Sequence, residues 1–400
     1  MKNTIKNTIK KLTAVICVFA LMCCLPLCAF ASDDGTTAET LRFNSDGKFR
    51  IMHITDTHLS AENLDDSVYL IGLACDKEKP DVVVLTGDVA MADDAEEVFR
   101  KTDALMNVFE ERNIPVAVTF GNHDSENGAV SREELMAHYN EFDCSISVDD
   151  GDLLPGCGTY NVPVLASDSD KVKFNLWVFD SGDYDSEHRY ANVLEEQVEW
   201  YTKKSEALES ENGEKVYSLA FQHIIVPEIY DALKEVKLHG AYSYSRIYDE
   251  SRYYEFDPDA ECNYGMLHET PCPGYLNHGQ FEAMVERGDV LAMFTGHDHT
   301  NAFGVKYKGI DIVNSLSTRF NGDAFSTQYG YRMITVDESN PSEYETKVVH
   351  WYDFFDGSVE ANNTSLVAKV RFLGFFEKIA LKIAIFFVET FTGRTVRYPD

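Results

Sequence analysis

Three strands predicted in the first third of the chain each end in polar residues, and this recurring pattern constrains the fold most. Val82–Leu85 is a continuous apolar run, which is typical of a strand buried on both faces. Strands are also predicted at 49–54 and 115–120, and predicted helices at about 62–79 and 94–112 separate the three. Alternating strands and helices form a largely parallel sheet that binds ligands at the carboxyl ends of its strands. The chain is therefore predicted to be an α/β protein with a site at that edge.

The residues that follow these strands include potential metal ligands. Asp56 and His58 follow the first strand, and the two-residue repeat of an extended chain places them on the same side. Asp88 follows the second strand, and Asn122 and His123 follow the third. Each group alone is common in polar turns, and the last could equally cap the next helix. Their joint occurrence after successive strands favours one shared site.

Two later strands add histidines. The turn Gly296-His297-Asp298-His299 follows an apolar strand at 290–294, and His223 follows a strand at 216–221. A single histidine at a strand end is more often structural, but a two-metal site built from the other motifs still lacks one nitrogen ligand. Eight residues are therefore candidates for the site, and seven of them are expected to be metal ligands. The eight are Asp56, His58, Asp88, Asn122, His123, His223, His297 and His299.

Carboxylate, amide and imidazole ligands without a thiolate suit divalent or trivalent Mn, Fe, Zn or Mg. Seven ligands exceed the need of one tetrahedral zinc and fit two metal ions that share a bridging aspartate. Such a pair lowers the pKa of a bridging water, and the resulting hydroxide attacks phosphorus in line. This donor set therefore predicts phosphoester hydrolysis.

The motifs resemble the complete signature of the calcineurin-like metallophosphoesterases, over about residues 49 to 352. Its parts are here Asp56-x-His58, Gly87-Asp88, Gly121-Asn122-His123-Asp124, His223 and Gly296-His297-Asp298-His299. The resemblance implies a four-layer α/β/β/α sandwich, in which two mixed sheets lie face to face with helices outside.

The same resemblance implies individual roles for these residues. Asp56, His58 and His299 would hold the first metal ion. Asn122, His223 and His297 would hold the second, and Asp88 would bridge the two. His123 would stabilise the transition state or protonate the leaving oxygen, and Asp124 would orient it.

Four shorter segments resemble the small purple-acid-phosphatase-like subgroup; they are residues 121–126, 131–133, 180–182 and 286–289. The chain departs from the purple enzymes at one position. Those enzymes place an iron-binding tyrosine three residues after the bridging aspartate, and Met91 stands there in this sequence. A purple tyrosinate-to-iron colour is therefore not expected.

The predicted function is an exported, binuclear metal-dependent phosphoesterase that hydrolyses monoesters of a small phosphorylated substrate by attack of a metal-bridging hydroxide. A phosphodiesterase or nucleotide hydrolase with the same metal core is the near alternative, and a non-catalytic cell-envelope binding protein is the alternative of another class. The net charge of -32 argues against nucleic acid as the main partner. Arg319 is a candidate contact to a substrate phosphate, with an ordinary surface arginine as the alternative.

Residues 1–31 are predicted to be a signal peptide, with a basic start, an apolar stretch at 12–30 and a small-x-small end. A retained N-terminal anchor is the alternative, so the protein is expected outside the cell or at the envelope. Five cysteines remain after residue 31, which allows two bridges at most. The pairings local in sequence are Cys144 with Cys157 and Cys262 with Cys272.

Residues 32–360 are predicted to form the phosphoesterase domain, with later strands making a second sheet packed on the first. The irregular insertion at 238–278 is interpreted as a cap over the site, or alternatively as a disordered surface loop. Residues 361–400 read as a linker and a basic amphipathic helix, in which Arg371, Lys378, Lys382 and Glu389 share one stripe. The segment 366–390 is expected to contact a membrane surface or to dock on its own domain.

Overall fold

The computed structural model describes residues 40–148, 154–237, 239–240, 242–257, 260, 264–320, 329–355, 359, 361–393 and 395–396. The predicted signal peptide and Cys262 lie outside these residues. In chain order the strands are β1 Lys48–Ile54, β2 Val82–Thr86, β3 Val116–Thr119, β4 Tyr160–Leu165, β5 Val172–Val178, β6 Ser218–Phe221, β7 Lys234–Val236, β8 Tyr244–Arg246, β9 Asp249–Glu255, β10 Tyr264–Met266, β11 Val290–Thr295, β12 Ala302–Tyr307, β13 Ile310–Asn314, β14 Gly330–Asp337 and β15 Tyr344–His350. The helices are α1 Leu64–Glu78, α2 Ala95–Glu110, α3 Arg132–Tyr139, α4 Glu195–Asn212, α5 Ile229–Ala232, α6 Gln280–Arg287, α7 Trp351–Phe354 and α8 Thr364–Thr392.

Two mixed sheets form the centre of the domain. The five-stranded sheet has the order β15-β14-β1-β2-β3, and the seven-stranded sheet has the order β10-β12-β13-β11-β6-β5-β4. Strands β1, β2 and β3 run parallel, as do β5, β6, β11 and β13, whereas the flanking strands pair antiparallel. The parallel strands thus bring their carboxyl ends to one edge of each sheet.

Strand β2 shows why the sheets lie in the middle of four layers. Val82 and Val84 belong to the apolar core between the two sheets. Val83 and Leu85 point the other way, into the core formed with helices α1, α2 and α3. Because successive side chains of a strand point to opposite faces, a run that is apolar throughout can be buried on both. Helices α4 and α6 cover the outer face of the seven-stranded sheet in the same way. The predicted α/β/β/α sandwich is confirmed.

The partition of the later strands differs from the prediction. Strands β14 and β15 join the first sheet beside β1, and β11 to β13 complete the sheet that β5 and β6 begin. A separate second sheet built from the later strands alone is therefore wrong. Hydrophobic alternation indicates which side chains are buried, but it does not indicate which strands become neighbours.

The insertion at 238–278 is more regular than expected. Strand β7 precedes it, and β8 and β9 within it complete a small antiparallel sheet with β7; β10 extends the edge of the seven-stranded sheet. These strands are short and mostly tyrosine-rich rather than aliphatic, so apolar periodicity did not reveal them.

Cys144 is a free thiol, so the predicted disulfide with Cys157 is absent. The predicted pairing of Cys262 with Cys272 involves a residue outside those that the structure describes. Across the ranges that the structure describes, no helix has the length and apolar character needed to cross a bilayer. Helix α8 begins after Asn363, whose side chain accepts a hydrogen bond from the amide of Leu366, and ends at Gly393.

Candidate metal centre

The candidate ligands lie where the carboxyl ends of five strands from both sheets meet. Loops after β1, β2 and β3 bring residues from the five-stranded sheet, and loops after β6 and β11 bring residues from the seven-stranded sheet. The structure brings together all seven of the expected ligands, namely Asp56, His58, Asp88, Asn122, His223, His297 and His299.

One cluster consists of Asp56, His58, Asp88 and His299, whose donor atoms all lie within 4.8 Å of one another. The Nε2 atoms of His58 and His299 are 2.9 Å apart. Oδ1 of Asp56 is 3.3 Å from Nε2 of His299 and 3.7 Å from Nε2 of His58. The four donor atoms are therefore close enough together to bind one metal ion.

A second cluster consists of Asp88, His223 and His297. Oδ2 of Asp88 lies 3.2 Å from Nε2 of His223, and the same nitrogen lies 3.2 Å from Oδ1 of Asn122. Asp88 is thus the residue common to both clusters, which is the place that a bridging carboxylate would take.

Two metal ions fit this donor set, because buried ligand atoms in it lack partners. Among the described residues, Oδ1 of Asp56, Oδ2 of Asp88 and Nε2 of His297 are buried without a hydrogen bond. Buried polar atoms are normally satisfied, and a neutral buried group left unpaired costs roughly 2–7 kcal/mol, a buried charge more. The two carboxylate oxygens have histidine nitrogens at 3.2 and 3.3 Å but accept no well-aligned hydrogen bond. Bound cations would remove that cost.

Hydrogen bonds to neighbouring groups orient two of the candidate ligands, His223 and Asn122. Nδ1 of His223 donates to the carbonyl of Thr86 at 2.7 Å, which turns Nε2 of the same ring toward Asp88. Nδ2 of Asn122 donates to the hydroxyl of Tyr184 at 2.8 Å, which leaves Oδ1 of Asn122 facing the cluster. Both contacts fix a side chain in the orientation that coordination requires.

Two of the ligands are already in the ionisation state that a metal ion needs, whereas His223 has to release a proton when an ion binds. Burial lowers the pKa of His223, but the carboxylates of Asp88 and Asp56 outweigh it and raise that pKa to about 10. Burial acts to raise the pKa of Asp88, but the charge on His223 outweighs it, and the pKa falls to about 2. Burial lowers the pKa of His297 to about 3, so its imidazole is neutral at neutral pH. Metal ions bind deprotonated carboxylates and neutral imidazoles, and these two residues are already in those forms.

The backbone at the ligands is strained. Asp56, His58, Asp88 and His297 have φ angles of 52°, 39°, 52° and 70°, in the left-handed region that residues with a side chain seldom adopt. Each such residue costs on the order of 1–3 kcal/mol, and strain of this kind concentrates at functional sites. Four strained candidate ligands in one edge of the fold therefore support a functional role for this edge.

Gly296 shows how closely the loops pack behind the ligands. A Cβ atom at this position would lie 1.9 Å from Oγ1 of Thr55 and 2.4 Å from Oδ2 of Asp56. The amide of the next residue, His297, donates to that same oxygen at 3.0 Å. The absence of a side chain at Gly296 thus allows the loop after β11 to reach the loop after β1.

His123 lies beside the clusters without belonging to them. Its side chain is 30% exposed, its ring centroid is 5.7 Å from that of His58, and its backbone amide donates to Oδ1 of Asp88 at 2.8 Å. Nδ1 of His123 lies 2.5 Å from Oε2 of Glu126. The imidazole is therefore held at the open side of the centre, where a substrate would approach.

The carboxylate of Asp124 contacts backbone amides rather than the ring of His123. Its carboxylate accepts backbone hydrogen bonds from Asp88, Val89 and Gly121, at 2.8, 2.9 and 2.7 Å. The side chain turns inward and ties the loops after β2 and β3 together. Glu126 contacts the imidazole instead, and its position three residues after His123 in one loop was the signal in the sequence.

Arg319 lies at the edge of the first cluster. Its Nε donates to the hydroxyl of Tyr329 at 2.7 Å, a contact that does not use the Nη atoms. Burial and the charge of Arg319 both act to lower the pKa of His299. The carboxylate of Asp56 acts in the opposite direction and outweighs them, so the pKa of His299 is raised. The loop that carries Arg319 lies beside this cluster, since the amide of Ser317 donates to the carbonyl of His299 at 3.5 Å. Contact of Arg319 with substrate stays a prediction.

Two tyrosines that were not predicted from the sequence pack against the second cluster. The ring of Tyr190 packs edge-on against His297 with centroids 4.3 Å apart, and it stacks on Tyr184 at 5.6 Å. A cavity of about 260 Å³ lies against this pair and is also lined by Leu276 and His278. Tyr184 follows the strand β5 after Asp180-Ser181-Gly182-Asp183, so the same rule of polar residues at strand ends could have found it.

The insertion makes direct contact with this wall and with the loop after β11. The hydroxyl of Tyr248 accepts from the amide of Tyr190 at 2.8 Å. The amide of Cys272 donates to Asp298 at 3.1 Å, and the amide of His268 donates to Asn301 at 2.8 Å. The insertion is therefore anchored beside the candidate ligands.

The chain is similar to several known proteins. The chain is 26% identical to the Arabidopsis thaliana protein named "Probable inactive purple acid phosphatase 14" over 349 residues, which are 78% of this chain and 80% of that relative. It is 28% identical over 303 residues to the Saccharomyces cerevisiae protein named "Phosphatase DCR2", covering 67% of this chain and 47% of that protein. A solved structure described as a dimetal phosphatase from Danio rerio aligns with a TM-score of 0.47 and 14% identity, covering 74% of this chain and 98% of that one. The family model described as calcineurin-like phosphoesterase matches residues 49–301, and this chain belongs to that family.

Proposed function

We propose that this protein is an exported, binuclear metal-dependent phosphomonoesterase. The observation that carries the proposal is the pair of ligand clusters that share Asp88, with buried oxygen and nitrogen atoms left unpartnered. Asp56, His58 and His299 would hold one ion and Asn122, His223 and His297 the other. Bound metal ions supply positive charge that activates water and stabilises the phosphoryl oxygens.

His123 is the proposed acid and hydrogen-bond donor of the reaction. Because Glu126 contacts Nδ1, the other ring nitrogen is free to face the substrate. From there Nε2 donates a hydrogen bond to a phosphoryl oxygen or gives its proton to the leaving alcohol oxygen. Glu126 holds the ring in the orientation that this transfer needs. When His123 acts as the acid the ring carries a proton on both nitrogens, with Nδ1 donating to the Glu126 carboxylate and Nε2 giving up its proton.

A preference for monoesters is supported by the groups around the centre. A monoester presents more charged terminal oxygens than a diester does, and His123 and Arg319 are two donors beside the centre to receive them. Tyr184 and Tyr190 form an aromatic wall on the other side, next to the cavity of about 260 Å³. We assign the organic part of the substrate to this wall and its cavity.

Export is supported by the N-terminal sequence, with lysines before a long apolar stretch and Ala29-Phe30-Ala31 at its end. A strongly acidic chain, with a net charge of -32, also disfavours polyanionic substrates.

The alternative of another class, a non-catalytic binding protein, is raised by the word "inactive" in the name of the Arabidopsis relative. This chain keeps all seven candidate ligands and His123, which favours catalysis. A site without catalytic function would not require strained backbone at four ligands, since that strain lowers the stability of the fold.

Hydrolysis of p-nitrophenyl phosphate, measured beside bis(p-nitrophenyl) phosphate, tests the proposal. The full chain is loaded with Mn²⁺ or Zn²⁺ and compared with His123→Ala and Asp88→Asn. Turnover of the monoester that both substitutions abolish supports a phosphomonoesterase. Faster turnover of the bis-ester identifies a phosphodiesterase, and two bound metal ions without turnover of either ester would favour a binding protein.

A further inference from the structure

Helix α8 exposes an unusually large apolar face. Eight of its phenylalanine and isoleucine side chains are between 42% and 71% exposed, whereas large exposed patches are rare on soluble proteins. Seven of the eight fall within about 120° of the helix circumference at 3.6 residues per turn. The eight residues, named here the aromatic face, are Phe372, Phe375, Phe376, Ile379, Ile383, Phe386, Phe387 and Phe391.

The opposite side of α8 is attached to the phosphoesterase domain. Leu366 and Val370 are buried in the core that α1, α2 and α3 share. A Cβ atom at Gly374 would lie 2.6 Å from the Cβ atom of Tyr352, so the helix and α7 are in close contact there. Nζ of Lys369 is 3.6 Å from a carboxylate oxygen of Asp66. These contacts hold the helix so that the aromatic face points away from the domain.

Basic residues border the aromatic face on both sides. Arg371, Lys378 and Lys382 form a stripe along one border, which also carries Glu389, and Lys369 lies at the other border; all five are exposed. Lys378 also forms an ion pair with Asp353. The chain as a whole carries a net charge of -32, so this concentration of cations around one apolar face stands out. Long basic side chains beside an apolar face place their charges at the level of lipid headgroups.

We propose that α8 binds the surface of a lipid bilayer that contains anionic lipids. The helix lies parallel to the bilayer, with the aromatic face in the outer part of the acyl region and the basic residues against the headgroup phosphates. The proposal is independent of the proposed catalytic function. A bilayer is favoured over a second copy of the helix because two paired helices bury a narrow apolar seam, whereas a flat surface covers a face of this width.

Co-sedimentation of the full chain with vesicles tests this assignment. We expect binding to vesicles of phosphatidylcholine with phosphatidylglycerol and much weaker binding to phosphatidylcholine alone. The double variant Lys378→Glu/Lys382→Glu is expected to lower the partition coefficient by at least about tenfold, because each basic residue near an anionic surface contributes to binding. Lys203→Glu/Lys204→Glu on α4 makes the same change of charge at exposed positions elsewhere and is expected to bind as the unaltered chain does.

A second readout separates α8 from the apolar N-terminal stretch, which would itself bind vesicles if it were retained. The variant Phe386→Trp adds an indole to the aromatic face, and brominated lipids quench tryptophan that enters the acyl region. We expect stronger quenching in this variant than in Glu206→Trp, which adds an indole to the exposed surface of α4.

Two results would overturn the proposal. The first is equal quenching of F386W and E206W together with vesicle binding that the lysine substitutions leave unchanged. The second is a dimer in solution that Phe372→Ser/Phe375→Ser/Phe386→Ser converts to a monomer, without vesicle binding by the unaltered chain. That second result would assign the aromatic face to self-association. Circular dichroism of each variant verifies that it is folded.

Discussion

The carboxylate of Glu126 lies 2.5 Å from Nδ1 of His123 and so occupies the position that was expected for Asp124. The other oxygen of Glu126 accepts from the hydroxyl of Tyr184 at 3.3 Å, and Tyr184 in turn accepts from Asn122 at 2.8 Å. A chain of hydrogen bonds therefore links the proposed acid to a candidate ligand of the second metal ion. This link makes Glu126 a positioning residue for His123.

Removing the carboxylate of Glu126 should slow the chemical step more than it weakens substrate binding. We expect Glu126→Ala to lower kcat about 10- to 100-fold with little change in KM, since general acid catalysis contributes about 10²–10⁴-fold. The loss should be larger for an alkyl phosphate than for p-nitrophenyl phosphate, because a poor leaving group depends more on protonation. Steady-state kinetics with both esters measures this, with Glu133→Ala on the exposed side of α3 as the control. An equal loss for both esters would contradict the role.

The shared position of Asp88 predicts a difference in metal content between variants. Asp88→Asn should reduce binding at both positions, because its carboxylate belongs to both clusters. His297→Ala removes a donor of the second cluster alone and should leave about one ion per chain. Elemental analysis after dialysis against limited metal gives the stoichiometry. The two clusters would not be separate sites if each variant lost both ions, or if each variant kept both.

Gly296→Ala should damage the centre without touching a ligand. The added methyl group would lie 1.9 Å from Oγ1 of Thr55 and 2.4 Å from Oδ2 of Asp56, so the loops after β1 and β11 must move apart. We expect weaker metal binding and a loss of roughly 1–3 kcal/mol in the free energy of unfolding, as for other overpacked sites. Gly240→Ala is the control, since the nearest atom there is 3.7 Å away. Calorimetric titration with Mn²⁺ and urea unfolding report the two effects.

The raised pKa of Glu228 predicts that the free energy of unfolding decreases as the pH rises. Burial raises the pKa of Glu228 to about 7, although a hydrogen bond from Asn277 acts to lower it. Between the ordinary pKa of a glutamate and 7, the folded protein therefore keeps a proton that the unfolded chain has lost. Its contribution to stability is complete below the ordinary pKa of a glutamate, about 4.3, and is lost as the pH rises through 7.

Glu228→Gln keeps a neutral side chain at every pH and should flatten this dependence. We expect little change in Tm at pH 5 and a rise of a few degrees at pH 8, since about 1 kcal/mol corresponds to a few degrees in a domain of this size. The exposed Glu286→Gln serves as the control and should leave the profile unaltered. A variant that is stabilised equally at both pH values would be inconsistent with the raised pKa.

The fold and the ligand positions were accessible from the sequence because both follow from local rules. The run Val82–Leu85 indicated a strand buried on both faces, and it is one. Ligands such as Asp56 and Asp88 were found because they come directly after strands that are easy to recognise. Strand order, in contrast, depends on contacts between distant segments, and so β14 was not expected beside β1.

The remaining features of the centre depend on which way a side chain turns. Asp124 and Glu126 are both carboxylates near His123 in sequence, and only the tertiary structure shows that the first turns inward to backbone amides and the second reaches the ring. Tyr190 reaches His297 across more than a hundred residues of chain, which no local pattern reveals.

The position of β1 between β2 and β14 has a consequence for the order in which the protein folds. Lys48 pairs with Asp337, so the strand that leads into Asp56 gains its second neighbour only after synthesis has passed residue 337 of 400. Contacts so far apart in sequence delay folding, because the entropy of closing a long loop is lost before the contacts form. The candidate ligands, too, extend from Asp56 to His299. An unfinished chain therefore offers metal ions only part of the centre, and complete loading has to wait for the finished fold.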